Sequence, residues 1–380
     1  MRVVAAFALV LTLASTVSAA SPSPAEQKIA EARQAIEKNP GDYNAYNRLA
    51  AALARRARET SDPSYYLQGQ EALKESLRLQ PDNFEARKWR AWLLLGRHEF
   101  AAALKEARQL AQVTHEDLEV YGFLVDANVE LGNYAAAEEA AQWMLDLRPG
   151  NVPGLTRAAY LRELFGDLDG ALELMVAAYQ RTPATEREDR AWLLTQQAHL
   201  ELLRGNLERA DSLLGLALGF FPDYHYALAQ QAKVRSAQGR DAEAVESLRR
   251  LCRVAPHAEN LYLLAHALER AGEKEEAART FARFEQLARA EMDNADNANH
   301  ELVFYYTDHA GKPAEALEVA RKELARRRDV YTLDAYAWAL HANGKLADAQ
   351  QAIQSALAVG VRDPRILGHA EAIAARTAAR

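Results

Sequence analysis

Cysteine is almost absent from this 380-residue chain. Cys252 stands alone, so no internal disulfide can form and the fold must rest on packing. Its setting, SLRRLCRV, is an apolar helical stretch and points to a buried, inert thiol. Alternating runs of β-branched residues are lacking, and with them any strand signal. There is no long basic run. Acids and bases are interleaved around a net charge of −7, which leaves nucleic acid without an electrostatic footprint. After residue 20 no segment is apolar enough to span a membrane. Catalytic signatures are missing as well: no G-x-S-x-G, no phosphate-binding glycine loop, no H-E-x-x-H and no cysteine pair. His300-Glu301 lacks a second histidine four residues on. Neither an enzyme nor a bound cofactor is expected.

The start of the chain differs from the rest. MRVVAAFALVLTLASTVSAA carries a basic residue, Arg2, then an apolar stretch from Val3 to Leu13 and a small-residue cleavage site at Val17-Ser18-Ala19. This is the pattern of a secretory signal over residues 1–19, with Ala20 offering a second cut. The run is too short to serve comfortably as a membrane anchor. The mature chain is therefore expected to be exported, periplasmic or secreted.

From residue 125 onward four registers run in phase. Glycine recurs at Gly132, Gly166, Gly205, Gly239, Gly272, Gly311 and Gly344. Seven residues before these stand Val125, Ala159, Ala198, Ala232, Ala265, Phe304 and Ala337, and five after them stand Ala137, Ala171, Ala210, Ala244, Ala277, Ala316 and Ala349. Seventeen after the first four stand Pro149, Pro183, Pro222 and Pro256. Glycine admits the left-handed turn that ends a helix, small residues let two helices approach closely, and proline stops the second helix. Each unit is thus helix, tight turn, helix, about 34 residues long.

The sequence resembles the tetratricopeptide repeat proteins. The residues that carry the resemblance are these small, glycine, alanine and proline positions, with Tyr134, Leu168, Leu207 or Leu346 two after the glycine. It implies an all-α, right-handed superhelical solenoid. The expected organisation is a segment at 20–42 with an incomplete repeat helix, an array of about nine units over 43–361, and a capping helix and tail at 362–380. Residues 43–81 read as a repeat with a longer first hairpin. In residues 82–115 Gly96 precedes Ala103 by seven, so a longer turn is expected there. Two 39-residue glycine spacings predict extra polar loops at 183–190 and 290–297.

The resemblance also implies that the first helices line a concave groove. With each glycine counted as fifteenth, positions 2, 5, 9, 12 and 13 face that groove. Position 9 reads Asp126, Tyr160, His199, Lys233, His266, Tyr305 and Trp338. The last three repeats add Tyr262, Glu269, Arg270, Glu301, Asp308, His309, Asp334 and His341, of which Asp334, Trp338 and His341 share one helix face. The chaperone-tail clamp of some family members does not transfer, because Asn47, Lys233 and Arg270 lie far apart along the array. Three readings of the groove stay open. It is simply wet; or it holds a protein or peptide, with Trp338, Tyr305 and Tyr262 as anchors; or His266, His309 and His341 with Asp308 bind a metal, although no close spacing motif joins them. An adaptor role through the convex face or the two polar loops is a further alternative.

Overall fold

The computed structural model describes residues 23–378, so the leader expected at 1–19 lies outside the described residues. Within them the chain forms twenty α-helices and no strand. Helix α1 (Pro24–Lys38) begins at a capping box in which the Ser23 hydroxyl accepts from the Glu26 amide and Glu26 accepts from the Ser23 amide. Nine helical hairpins follow: α2 (Tyr43–Thr60) with α3 (Ser64–Leu79), α4 (Phe84–Gly96) with α5 (Phe100–Val113), α6 (Leu118–Glu130) with α7 (Tyr134–Leu147), and α8 (Val152–Leu164) with α9 (Leu168–Arg181). The series continues through α10 (Arg187–Leu203) with α11 (Leu207–Phe220), α12 (His225–Ala237) with α13 (Asp241–Val254), and α14 (Ala258–Arg270) with α15 (Lys274–Glu291). It ends with α16 (Asn299–Asp308) and α17 (Pro313–Leu324), α18 (Val330–Ala342) and α19 (Leu346–Leu357), and a last helix, α20 (Pro364–Ala378).

The registers act as their chemistry demands. The seven periodic glycines all sit at positive φ, between +61° and +84°. The alanines five residues later are at most 1% exposed, and Ala159, Ala198, Ala265 and Ala337 on the first helices are equally closed off. One expectation fails. The α4–α5 turn is no longer than the others: three residues, 97–99, match 131–133 of the next hairpin. His98 takes the left-handed position at φ +58°, five residues before Ala103. Gly96 is still helical, and its lack of a side chain serves packing, since a Cβ there would lie 2.5 Å from the Tyr66 ring. The signal misled because glycine was doing a different job.

Repeat arrays normally hold together through neighbours alone. This one coils until its second turn meets its first. The hairpin turns of the early repeats rest on the starts of later first helices. The Arg328 amide donates to the Glu130 carbonyl at 2.9 Å, and the Val330 amide to the Tyr134 hydroxyl at 3.0 Å. His225 Nε2 donates to the Arg58 carbonyl at 2.9 Å and His257 Nε2 to that of Ser61 at 2.5 Å.

The two inserts serve this closure: the first enters mainly as helix and not as the loop predicted at 183–190, whereas the second keeps a polar loop, 292–298, close to where the sequence predicts one. The first lengthens α10 to 17 residues, against 13 in α8 or α12. Its added turn brings Glu186 and Asp189 to Arg55, at 2.5 and 3.1 Å, and Glu188 to Arg58 at 3.1 Å. The second lengthens α15 to 18 residues and carries Asp296 to 3.4 Å from His98.

Closure separates glycines that the sequence makes look equivalent. A Cβ on Gly132 would lie 2.7 Å from the Arg328 carbonyl oxygen across the coil, whereas one on Gly239 would meet nothing within 4 Å. Both substitutions strain a positive φ, at about 1–2 kcal/mol. Gly132→Ala should therefore lower the melting temperature clearly further than Gly239→Ala. Equal losses in thermal unfolding would show that the coils are not in contact.

Candidate functional site

Closure splits the expected groove in two. The first helices of the middle repeats face one another and the far coil. Tyr160 lies among Tyr331, Glu130, Glu163 and Asp329, and burial drives its hydroxyl pKa well above the usual value. Lys233 stays exposed to solvent, and the protein around it, then Arg365, lowers its pKa against the pull of Asp363, Glu301 and Glu259. Glu259 lines a cavity of about 820 Å³ between the coils, walled also by Tyr66, Tyr226, His98 and Asp296. Its side chain is exposed to that cavity, and the surrounding protein, then Glu301 and Asp296, pushes its carboxyl up to about 8. Tyr262 is not part of this lining: its ring packs on His266, Phe281 and Phe284, and burial, then Glu301, raises its hydroxyl.

The second part is a free rim. The turns at Gly205, Gly239, Gly272 and Gly311 have no neighbour within 4 Å of a built Cβ, unlike those at Gly132 and Gly166. The C-terminal ends of α14 and α16 therefore stay uncovered by the first coil. Here the Trp338 indole donates to Asp308 Oδ1 at 2.7 Å. Its ring is stacked between His341, at 4.9 Å and 10°, and His369 of α20, at 4.1 Å and 12°. Beside this stack, His266 and His309 face each other at 4.8 Å between ring centroids, and Glu269 Oε1 is 3.8 Å from His309 Nδ1. Burial, then His309, lowers the His266 imidazole to about 4, so it is neutral at physiological pH.

Several expected groove residues are otherwise engaged. Asp334 is not on the groove wall. It is 0% exposed, covered by α20, and its carboxylate accepts from His369 Nδ1 at 2.7 Å and Arg365 Nε at 3.3 Å. The reason is local: the helix after the last repeat occupies the place that the next first helix would take. Tyr305 packs on Phe281 and Phe284 of α15, with ring centroids 5.3 and 5.6 Å apart. Arg270 reaches back to the preceding repeat, donating to Asp241 Oδ1 and to the Ser236 carbonyl, both at 2.8 Å. His199 Nε2 is 2.9 Å from Glu163 Oε1, and Asp126 holds Arg157 in a two-pronged pair. The His341 ring goes to Trp338 and is not joined to His266 and His309. His369, Arg365 and Glu259 were not singled out by sequence: the first two lie past the last periodic glycine, and Glu259 sits at position 2 of its unit, where polar residues are ordinary.

No protein-family model and no curated protein matches the sequence. Solved structures do. The human IFIT1 dimer with m7Gppp-AAAA is similar with a TM-score of 0.56 and 14% identity, over 87% of this chain and 76% of that one. Cut9 of the APC/C hetero-tetramer Cut9-Hcn1 is similar with a TM-score of 0.52 and 12% identity over 92% of this chain, which spans 59% of its partner in the comparison. A tetratricopeptide repeat protein from Parabacteroides merdae is similar with a TM-score of 0.44 and 16% identity, over 63% of this chain and 93% of that one. At such identities the likeness concerns the fold alone.

Proposed function

We propose that this chain, whose fold is that of the tetratricopeptide solenoids, is a non-enzymatic scaffold that holds a protein or peptide on the free rim of its last three repeats. The observation that carries the reading is the Trp338 stack. An indole pinned by Asp308 and layered between two imidazoles is an amphipathic anchor already held in place, so little ordering is lost when a partner docks. The inner part of the expected groove supports this less, because the second coil crowds it. The polar inserts support an adaptor role less still, because their charges are engaged by Arg55, Arg58 and His98. Net charge −7 with interleaved signs argues against nucleic acid as the partner.

The same reading takes residues 43–361 as one array, flanked by 20–42 and by a capping end at 362–380. It takes the chain as exported, to the periplasm or beyond; the support for export is the residue pattern at 1–19. No helix among the described residues is long and apolar enough to cross a membrane.

The test is partner capture by purified protein from the native envelope fraction, wild type against Trp338→Ala with His341→Ala. Loss of an aromatic anchor worth about 2 kcal/mol should weaken capture about 30-fold while helical content stays unchanged. Undiminished capture by the folded double variant would remove the rim from the account.

A further inference from the structure

The rim holds a second feature, which does not rest on partner binding. One ring nitrogen each of His266 and His309 and one carboxylate oxygen of Glu269 lie within 4.8 Å of one another. His266 and Glu269 are three residues apart on α14 and so share a face, and His309 caps the neighbouring α16. Two imidazoles and a carboxylate are the ligand chemistry of a borderline divalent ion. Around an ion with bonds of about 2.1 Å, such donors sit about 3.4 Å apart in tetrahedral geometry.

Three further observations favour a ligand here over an idle cluster. First, the donors are free where comparable groups are engaged. His266 Nε2 is shielded from solvent and has no hydrogen-bond partner among the described residues. Among the described residues the Glu269 carboxylate pairs with nothing but His309, and that at 3.8 Å, too long for a hydrogen bond. By contrast His199 is bonded to Glu163 and His369 to Asp334. Second, the imidazoles are held in place. Phe281 packs on both, at 5.2 and 4.6 Å between centroids, and Tyr262 packs on His266 at 4.4 Å. Third, the local charge suits a dication: Glu269 supplies one negative charge, and Asp308 lies near enough to act electrostatically on His266.

We infer that His266, Glu269 and His309 form a site for a divalent transition-metal ion such as Zn²⁺, bridging the seventh and eighth hairpins and leaving its remaining coordination to water. The histidine set weighed from sequence alone, with His341 and Asp308, is replaced: those two belong to Trp338, and Glu269 completes the ligands.

The test uses the full mature chain, metal-stripped and titrated with Co²⁺ followed by visible absorption, then with Zn²⁺ in competition. Wild type should bind one equivalent, and Zn²⁺ should displace Co²⁺ and raise the melting temperature. Glu269→Gln and His309→Ala should each bind at least tenfold more weakly and lose the thermal shift, with far-ultraviolet circular dichroism unchanged. His341→Ala should bind as wild type does. Glu269→Gln alters one exposed oxygen and keeps the result readable if His309→Ala fails to fold. Failure of wild type to bind one equivalent overturns the proposal. So does binding that survives both Glu269→Gln and His309→Ala, which would be adventitious.

Discussion

Replacing Glu188 with alanine should destabilise the protein by about 3 kcal/mol and loosen the contact between the two coils of the superhelix. The Glu188 side chain is 3% exposed and takes two partners from different parts of the chain: Arg58 of the first hairpin, at 3.1 Å, and the Tyr224 hydroxyl, which donates at 2.6 Å. Alanine leaves the guanidinium with only Asp189, 3.8 Å away, and strands the hydroxyl of a fully buried tyrosine. Removing one member of a buried pair costs about 3–5 kcal/mol, and the partial exposure of Arg58 sets the expected loss at the low end. Denaturant unfolding measures the energy and small-angle scattering measures the shape. A rise in the radius of gyration together with the lost stability is the expected outcome. Lost stability at constant dimensions would mean that Glu188 supports only its own hairpin.

Asp334→Ala should cost about 2 kcal/mol and release α20 from the last repeat. Arg365 is half exposed, so the loss is smaller than for Glu188. The consequence is local and optical. Without the Asp334 carboxylate the His369 ring loses its hold, and the face of Trp338 that it covers is opened to water. Tryptophan emission should shift to longer wavelength, and amide exchange should quicken across α20 before the rest of the array. Unaltered exchange in α20 would show that Ile366 and Ile373, both 0% exposed, dock this helix without the polar contact.

The fold was legible because each of its marks answers a local need. A left-handed φ requires glycine at Gly166 or Gly272, and close helix approach requires alanine at Ala171 or Ala277. Such needs repeat with the unit and can be read in one dimension. The site was legible only in part, for a physical reason. Which first-helix residues remain free depends on contacts 130 to 200 residues apart, such as Arg55 with Glu186 or His257 with Ser61. No periodicity encodes these. Asp334 and Trp338 belong to the same helix, yet one is fully buried and the other only partly, because α20 bonds to Asp334 through His369 and Arg365. Gly96 shows the converse error: a glycine at nearly the right spacing that makes room for Tyr66 while His98 makes the turn.

The free rim as the partner surface is the claim on which the functional reading stands, and site-specific photocrosslinking in the native host tests it most directly. A photoreactive residue is placed at His341 on the rim, at Glu246 on the outer face of α13, or at Asp293 in the second insert, in separate proteins. Discrete adducts from position 341, with none from 246 or 293, are the predicted result. Adducts from 246 or 293 with none from 341 would contradict the account and leave the protein an adaptor that works through its outer face.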